Sequence, residues 1–190
     1  MKALLERERL EFIRDRLGDR RWHELSIEEL ASAAGLSRMT LHRRGISKDD
    51  LRDALTQLLA EEHKECVVPA LTAPGDAKDR LRTALEGVCR VDERYLGLLE
   101  ALGDNIAPVF HEEGEGEVLT KGAFIDAVRR ILEDGEREGT LDCGPGAAET
   151  ATLLLNATSW TYQHMRIGHH WSEETARGRV VDLLVAGVSK

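Results

Sequence analysis

The chain has 190 residues, 42% hydrophobic and 32% charged, with a formal net charge of −9 at neutral pH. That balance fits one medium domain or two small ones sharing a core, and it excludes a disordered chain. It also excludes a protein that coats nucleic acid by bulk charge, and no apolar run approaches the roughly 18 residues that a bilayer crossing needs.

Taken from the start, the segment MKALLERERLEF is charged throughout and lacks the apolar core of a secretory signal. Ala3, Leu10, Ile13 and Leu17 fall on one face of a helix that Gly18 can terminate. Three similar hexamers follow: LSIEEL (25–30), LSRMTL (36–41) and ISKDDL (46–51). Each is an apolar residue, a serine, three variable residues and a leucine. A serine at a helix N-cap accepts a hydrogen bond from a free first-turn amide, and the apolar residue before it staples onto the fourth helical residue. The pairs Leu25/Leu30, Leu36/Leu41 and Ile46/Leu51 have that spacing around Ser26, Ser37 and Ser47. The chain between the first two hexamers, ASAAG, is small enough for close helix approach, and Gly35 suits a left-handed turn. Helices over 27–34 and 38–44 with this turn between them make a helix-turn-helix.

The charges separate the three copies. Ser26-x-x-Glu29 is a capping box, and Asp49 and Asp50 sit on the positive end of the third helix dipole. The middle copy has no acid and runs on into His42-Arg43-Arg44. A helix whose first turn faces bases and phosphates cannot carry acids there. Arg38, Met39, Thr40, His42, Arg43 and Arg44 instead offer donors, a methyl group and positive charge. Residues 1–54 carry a net +1 and the remainder −10, so an Arg-rich head sits on an acidic body. The competing reading is a basic surface helix in a plain helical bundle.

The run Leu25-Ser26-Ile27, Leu30-Ala31, Ala34-Gly35-Leu36-Ser37, Thr40-Leu41, Ser47-Lys48 and Leu51 resembles, in order and spacing, the N-terminal domain of the tetracycline-repressor (TetR) family over roughly residues 5–55. Family members commonly have Tyr where His42 stands and Phe where Gly45 stands; Ile46 is placed to fill part of that space. The resemblance implies an all-α fold: a three-helix DNA-binding domain (1–50), then a larger helical effector-binding and dimerisation domain (51–190). It implies a transcriptional regulator, usually a repressor, that binds a palindromic operator in double-stranded DNA as a homodimer and is released by a small molecule. By position, Ser37, Arg38, Thr40, His42 and Arg43 are the DNA-facing residues, and Ser26 and Lys48 contact phosphate. Met39 either packs inward or meets a thymine methyl.

A long helix over 47–67, stopped by Pro69, links head to body. Helices over 76–91 and 92–102 precede an aperiodic Gly/Glu-rich loop at 103–118. A helix over 117–138 carries the stripe Leu119, Ile125, Val128, Ile131 and Leu132, broken by GEREGTLDCGP at 135–145. Final helices over 147–167 and 172–188 look like the family's dimerisation pair. Their interface residues are Thr152, Leu155, Ser159 and Gln163 with Val180, Val181, Leu184, Val185 and Val188; the alternative is that these faces are intrachain core. Effector-lining candidates are Tyr95, Leu99, Phe110, Phe124, Val128, Leu155, Trp160 and His164, with core packing as the alternative for each.

His169-His170 and His63-x-x-Cys66 bring metal ligation to mind, but no further ligand stands at supporting spacing, so no metal and no cofactor is expected. Cys66, Cys89 and Cys143 are odd in number, without a CxxC pair, and read as free thiols in a reducing cytoplasm. No nucleophile elbow or phosphate-cradling glycine loop is present, so an enzyme is not expected. The alternatives are a constitutive DNA-binding dimer without a small ligand, or a small helical enzyme using His and Glu residues of the body.

Overall fold

The computed structural model describes residues 5–17, 20–102, 120–144 and 146–190. Helix α1 (Arg7–Leu17) buries Leu10, Ile13, Arg14 and Leu17, a stripe at i, i+3, i+4 and i+7. A short 3-10 turn, Trp22–Glu24, leads to α2 (Ile27–Ala33), α3 (Arg38–Arg43) and the long α4 (Lys48–Val67). Ala3 and Gly18 lie outside the described residues.

All three hexamer serines are N-caps. The hydroxyl oxygens of Ser26, Ser37 and Ser47 accept from the amides of Glu29, Thr40 and Asp50 at 3.2, 3.1 and 3.1 Å. The first and third close capping boxes, the backbone amides of Ser26 and Ser47 donating to Glu29 and Asp50 at 2.8 Å. The middle one has Thr40 at that position, and its hydroxyl bonds the Ser37 hydroxyl at 2.9 Å. Gly35 (φ 66°) and Gly45 (φ 65°) end α2 and α3 alike, the following amides of Leu36 and Ile46 donating to the Ala31 and Leu41 carbonyls at 2.8 and 3.0 Å. A Cβ at Gly45 would meet nothing within 4 Å, so its φ, not space, asks for glycine there. Ile46 takes the buried place beside it.

The body holds α5 (Ala77–Arg94), α6 (Leu96–Leu102), α7 (Thr120–Glu138), α8 (Ala147–Gln163) with a π-helical turn, His164–Gly168, at its end, and α9 (Glu173–Gly187). Pro69 falls in the 3-10 turn Val68–Thr72 that closes α4. One boundary differs from the pattern. The break expected between 91 and 92 comes at Tyr95, where the chain leaves helical geometry and the fully buried ring is tied down by its hydroxyl, donating to Glu62 at 3.0 Å. Helix α7 runs through Gly135 to Glu138, the expected end, and stops at Gly139 (φ 75°). Gly135 is a packing glycine, because a Cβ there would collide with the side chain of Leu141 as the chain doubles back. The expected loop at 103–118, with Leu119, lies outside the described residues. Among those residues the single β-type pairing is a bridge between Leu141 and Ser189.

Two apolar clusters result. The body cluster joins Leu81 and Leu85 of α5, Val128, Ile131 and Leu132 of α7, Leu154 and Leu155 of α8, and Val181 and Val185 of α9. The head cluster joins α1–α3 to Leu51, Leu55, Leu58 and Leu59 of α4, and continues into Val91, Tyr95, Leu98, Leu99 and Leu102 of α5 and α6. Head and body therefore share packed side chains along α4 and α6 as well as the covalent link. Truncating one of these leucines to alanine costs about 2–5 kcal/mol.

Candidate nucleic-acid interface

Helix α3 is pinned by fully buried Leu41 and turns its other residues outward. Ser37, Arg38, Met39, His42, Arg43 and Arg44 are exposed and Thr40 is half-buried. Met39 is 59% exposed, so the inward placement is ruled out and its thioether stands on the outer face. Six residues make a rod of about 9 Å, and a helix about 10–12 Å across with its side chains is what the roughly 12 Å wide DNA major groove admits. No acid stands in its first turn.

The neighbours modify this picture. The Arg38 guanidinium pairs with Glu28 of α2, and both side chains are largely exposed. Such a pair is worth about 0–1 kcal/mol, so a phosphate can replace the carboxylate. Glu28 is therefore a direct neighbour of α3 and no spectator. Beside Ser26, the Glu29 carboxyl is lowered to about 2, first by the Ser26 amide and then by Arg20. Ser26, expected on a phosphate, stands against an ionised carboxylate with its hydroxyl already donating to it at 2.8 Å. Lys48 donates to the Leu25 carbonyl at 2.6 Å with its ammonium 5.3 Å from the Trp22 ring centre. It braces the start of α2, and an ammonium has two further donors for phosphate. Arg9 braces the other end of α2, donating to the Ala34 carbonyl at 2.6 Å.

Behind this surface lies a polar network that periodicity did not reveal. Consecutive residues of α4 face two ways. Buried Glu62 meets Arg14 of α1, Tyr95 at 3.0 Å and Arg94 at 2.7 Å. His63 Nε2 bonds Asp92 at 2.8 Å, and the other Asp92 oxygen accepts from Ser159 of α8 at 2.6 Å, which accepts from Gln163 at 2.8 Å. Burial of Tyr95 beside Glu62 pushes its phenol well above the usual range. On α5, Glu93 takes a two-pronged bond from Arg166, at 2.8 and 2.5 Å, and the Tyr162 hydroxyl at 2.5 Å. Asp, His and Ser thus lie together, but in the wrong order for hydrolysis. Asp92 sits between the other two, so His63 cannot take the serine proton.

His63 and Cys66 do not form a ligand pair: His63 turns to Asp92, while the Cys66 thiol donates to the His63 carbonyl at 3.1 Å. Burial pushes that thiol up to about 12. His169 meets His164 edge to face at 4.9 Å. Among the described residues no group of three or more His, Cys, Asp or Glu is arranged to hold a metal ion, and no helix is long and apolar enough to cross a membrane.

The effector-lining candidates do not gather in one place. Tyr95 and Leu99 belong to the head cluster, and Val128 and Leu155 to the body cluster. Trp160, 47% exposed, and His164 face outward, because α8 turns Leu155, Ser159 and Tyr162 inward. Phe110 and the side chain of Phe124 lie outside the described residues. The residues expected to meet a second chain are mostly enclosed by their own chain. Leu155, Ser159, Gln163, Val180, Val181 and Val185 are buried within this chain, and Thr152, Leu184 and Val188 are half-buried. Side chains already enclosed leave little surface for a partner. What α8 and α9 do present is Leu153 at 69%, Trp160, and Leu183 at 72% exposure. The period of 3.6 shows which residues share a stripe, but not which of two apolar stripes is turned inward.

No protein-family model matches the sequence, and no curated protein matches it. Solved structures do. The TetR-family regulator PfmR from Thermus thermophilus is 21% identical, with 97% of this chain and 100% of that chain covered and a TM-score of 0.64. A transcriptional regulator from Cytophaga hutchinsonii is 14% identical over 96% and 97%, with a TM-score of 0.70. A TetR/AcrR-family regulator from Thermobifida fusca is 17% identical over 95% and 96%, with a TM-score of 0.68. Coverage near unity in both directions means that head, linking helix and body all correspond, and the chain has the all-α fold of the TetR-family transcriptional regulators.

Proposed function

We propose that the chain is a TetR-family transcriptional regulator that binds a palindromic operator as a homodimer through α3. The observation that carries this is the charge contrast among three otherwise similar helix starts. Helices α2 and α4 carry capping-box acids, whereas α3 begins with none and exposes Arg38, His42 and Arg43. The exposed apolar side chains Leu153 and Trp160 of α8 and Leu183 of α9 support pairing of two bodies, which would present two copies of α3 to one duplex. A small molecule entering the body would act by moving α4, whose residues Glu62 and His63 touch head and body at once, and repression is the mode that the family resemblance implies. The site of action is the cytoplasm, where the DNA is.

The experiment is selection of bound duplexes from a random-sequence pool. The reading expects enrichment of an inverted repeat with half-sites about one helical turn apart, near 10 base pairs centre to centre. A protein that enriches no sequence, or only asymmetric single sites, does not work this way.

A further inference from the structure

A second contact between head and body lies on α6, apart from the linking helix. Gly97 is buried, and a Cβ built on it would collide with the carbonyl oxygen of Arg20 and lie 3.0 Å from its carbonyl carbon and 3.7 Å from the Arg21 nitrogen. These are backbone atoms of the segment that enters the 3-10 turn Trp22–Glu24, and so cannot rotate away as a side chain would. Nearby, Arg21 pairs with Glu100 of α6 at 3.4 Å, and Leu98, Leu99 and Leu102 join the head's own apolar cluster. Glycine is a poor helix former, and a seven-residue helix gains nothing from one in its second position. Its presence there is explained by the close approach of the head.

We infer that Gly97 is a positioning residue: by letting the Arg20 backbone seat directly on α6, it sets the angle at which the head leaves the body, and hence the half-site spacing that a dimer accepts. It touches no DNA itself. The inference rests on the dimeric operator-binding reading proposed above. A methyl group at position 97 must push the Arg20–Arg21 segment outward and, with it, α2 and α3.

The test uses the full-length protein and duplexes selected from a random pool, separately by the parent and by Gly97→Ala. The expected result is the same half-site sequence at an altered spacing. On the parent's duplex Gly97→Ala should lose roughly tenfold in affinity, within the range of typical couplings between distant sites, and recover most of it when the spacer is changed by one base pair. Unchanged spacing and unchanged affinity in a folded dimer would overturn the inference. If the parent selects no inverted repeat, the functional reading itself has failed, which is a different outcome. Should Gly97→Ala not fold, insertion of one glycine after Arg21, which lets the Arg20 backbone lift from α6 without adding a Cβ, serves in its place. Spin labels on the two heads should then show a broader or shifted separation, and an unchanged distance distribution would overturn the inference.

Discussion

Asp92 is the most demanding side chain in the body, and replacing it with asparagine tests how the network works. Both carboxylate oxygens are occupied, one by His63 Nε2 at 2.8 Å and the other by the Ser159 hydroxyl at 2.6 Å, with the residue fully buried. Because a carboxylate only accepts, the His63 nitrogen facing it carries the proton. Asparagine has nearly the same shape but offers one acceptor and one N–H₂ donor group, so His63 and Ser159 cannot both go on donating to it. The Ser159 oxygen has a second lone pair beside the one that accepts from Gln163, so it can accept from the asparagine only by giving up its own donated bond. The loss is therefore one hydrogen bond to a charged group, about 1.5–3 kcal/mol, with no cavity term because the volume is kept. For a chain of this size each kcal/mol is about 2–4 °C in melting temperature, so a drop of roughly 3–12 °C is expected. Urea unfolding at fixed protein concentration, followed by circular dichroism, measures it. The double mutant with Ser159→Ala should show a coupling of at least about 0.5 kcal/mol, since the two side chains touch. A loss below about 0.5 kcal/mol for Asp92→Asn, or strict additivity with Ser159→Ala, would refute the bonding described.

Leu183→Glu should leave the chain folded, because Leu183 is mostly exposed, yet convert a dimer to monomer by sedimentation velocity; persistence of the dimer with both Leu153→Glu and Leu183→Glu would place the interface elsewhere. Glu93→Gln should cost about 1–3 kcal/mol at neutral pH, since it weakens the two-pronged bond from Arg166. That difference should depend on pH. Burial opposes ionisation of Glu93, but Arg166 and then Tyr162 outweigh it and hold the carboxyl below its ordinary value. A folded-state value below the unfolded one gives stability that is full above about pH 5 and is lost as pH falls through the folded value. The parent and Glu93→Gln should thus converge in melting temperature at acid pH, and a gap that stays constant down to about pH 3 would contradict the assignment.

The head was legible in the sequence because its structure is local. Ser26, Ser37 and Ser47 cap helices through bonds three residues long, and Gly35 and Gly45 close turns within five, so spacing alone encodes them. The body was legible in its elements but not in its faces. Val181 and Val185 point inward and Leu183 outward for reasons that lie in α5 and α8, which no window along α9 contains. Asp92, Glu62 and His63 look like ordinary helix polar residues until α1 and α8 bring Arg14 and Ser159 to them, 48 and 67 residues away from their partners. Gly135, which opens the stretch read as a helix break, and Gly97 both mark places where another part of the chain comes too close for a Cβ.

The central claim is that α3 reads DNA, and the direct measurement is a set of binding titrations on Thr40→Ala and Arg43→Ala against single-base variants of a selected duplex at several salt concentrations. Thr40, in the first turn, should face a base edge, so its loss should cost about 1–3 kcal/mol on the preferred base at one position and little at others. Arg43, exposed near the end of the helix, should meet phosphate, so its loss should weaken all sequences alike and lower the salt slope by about one unit. Glu29→Ala, in α2, is the comparison that should leave base preference unchanged; Glu28 does not serve, because it pairs with Arg38. If Thr40→Ala and Arg43→Ala leave base preference and salt slope as they were while Glu29→Ala shifts them, α3 is not the helix in the groove.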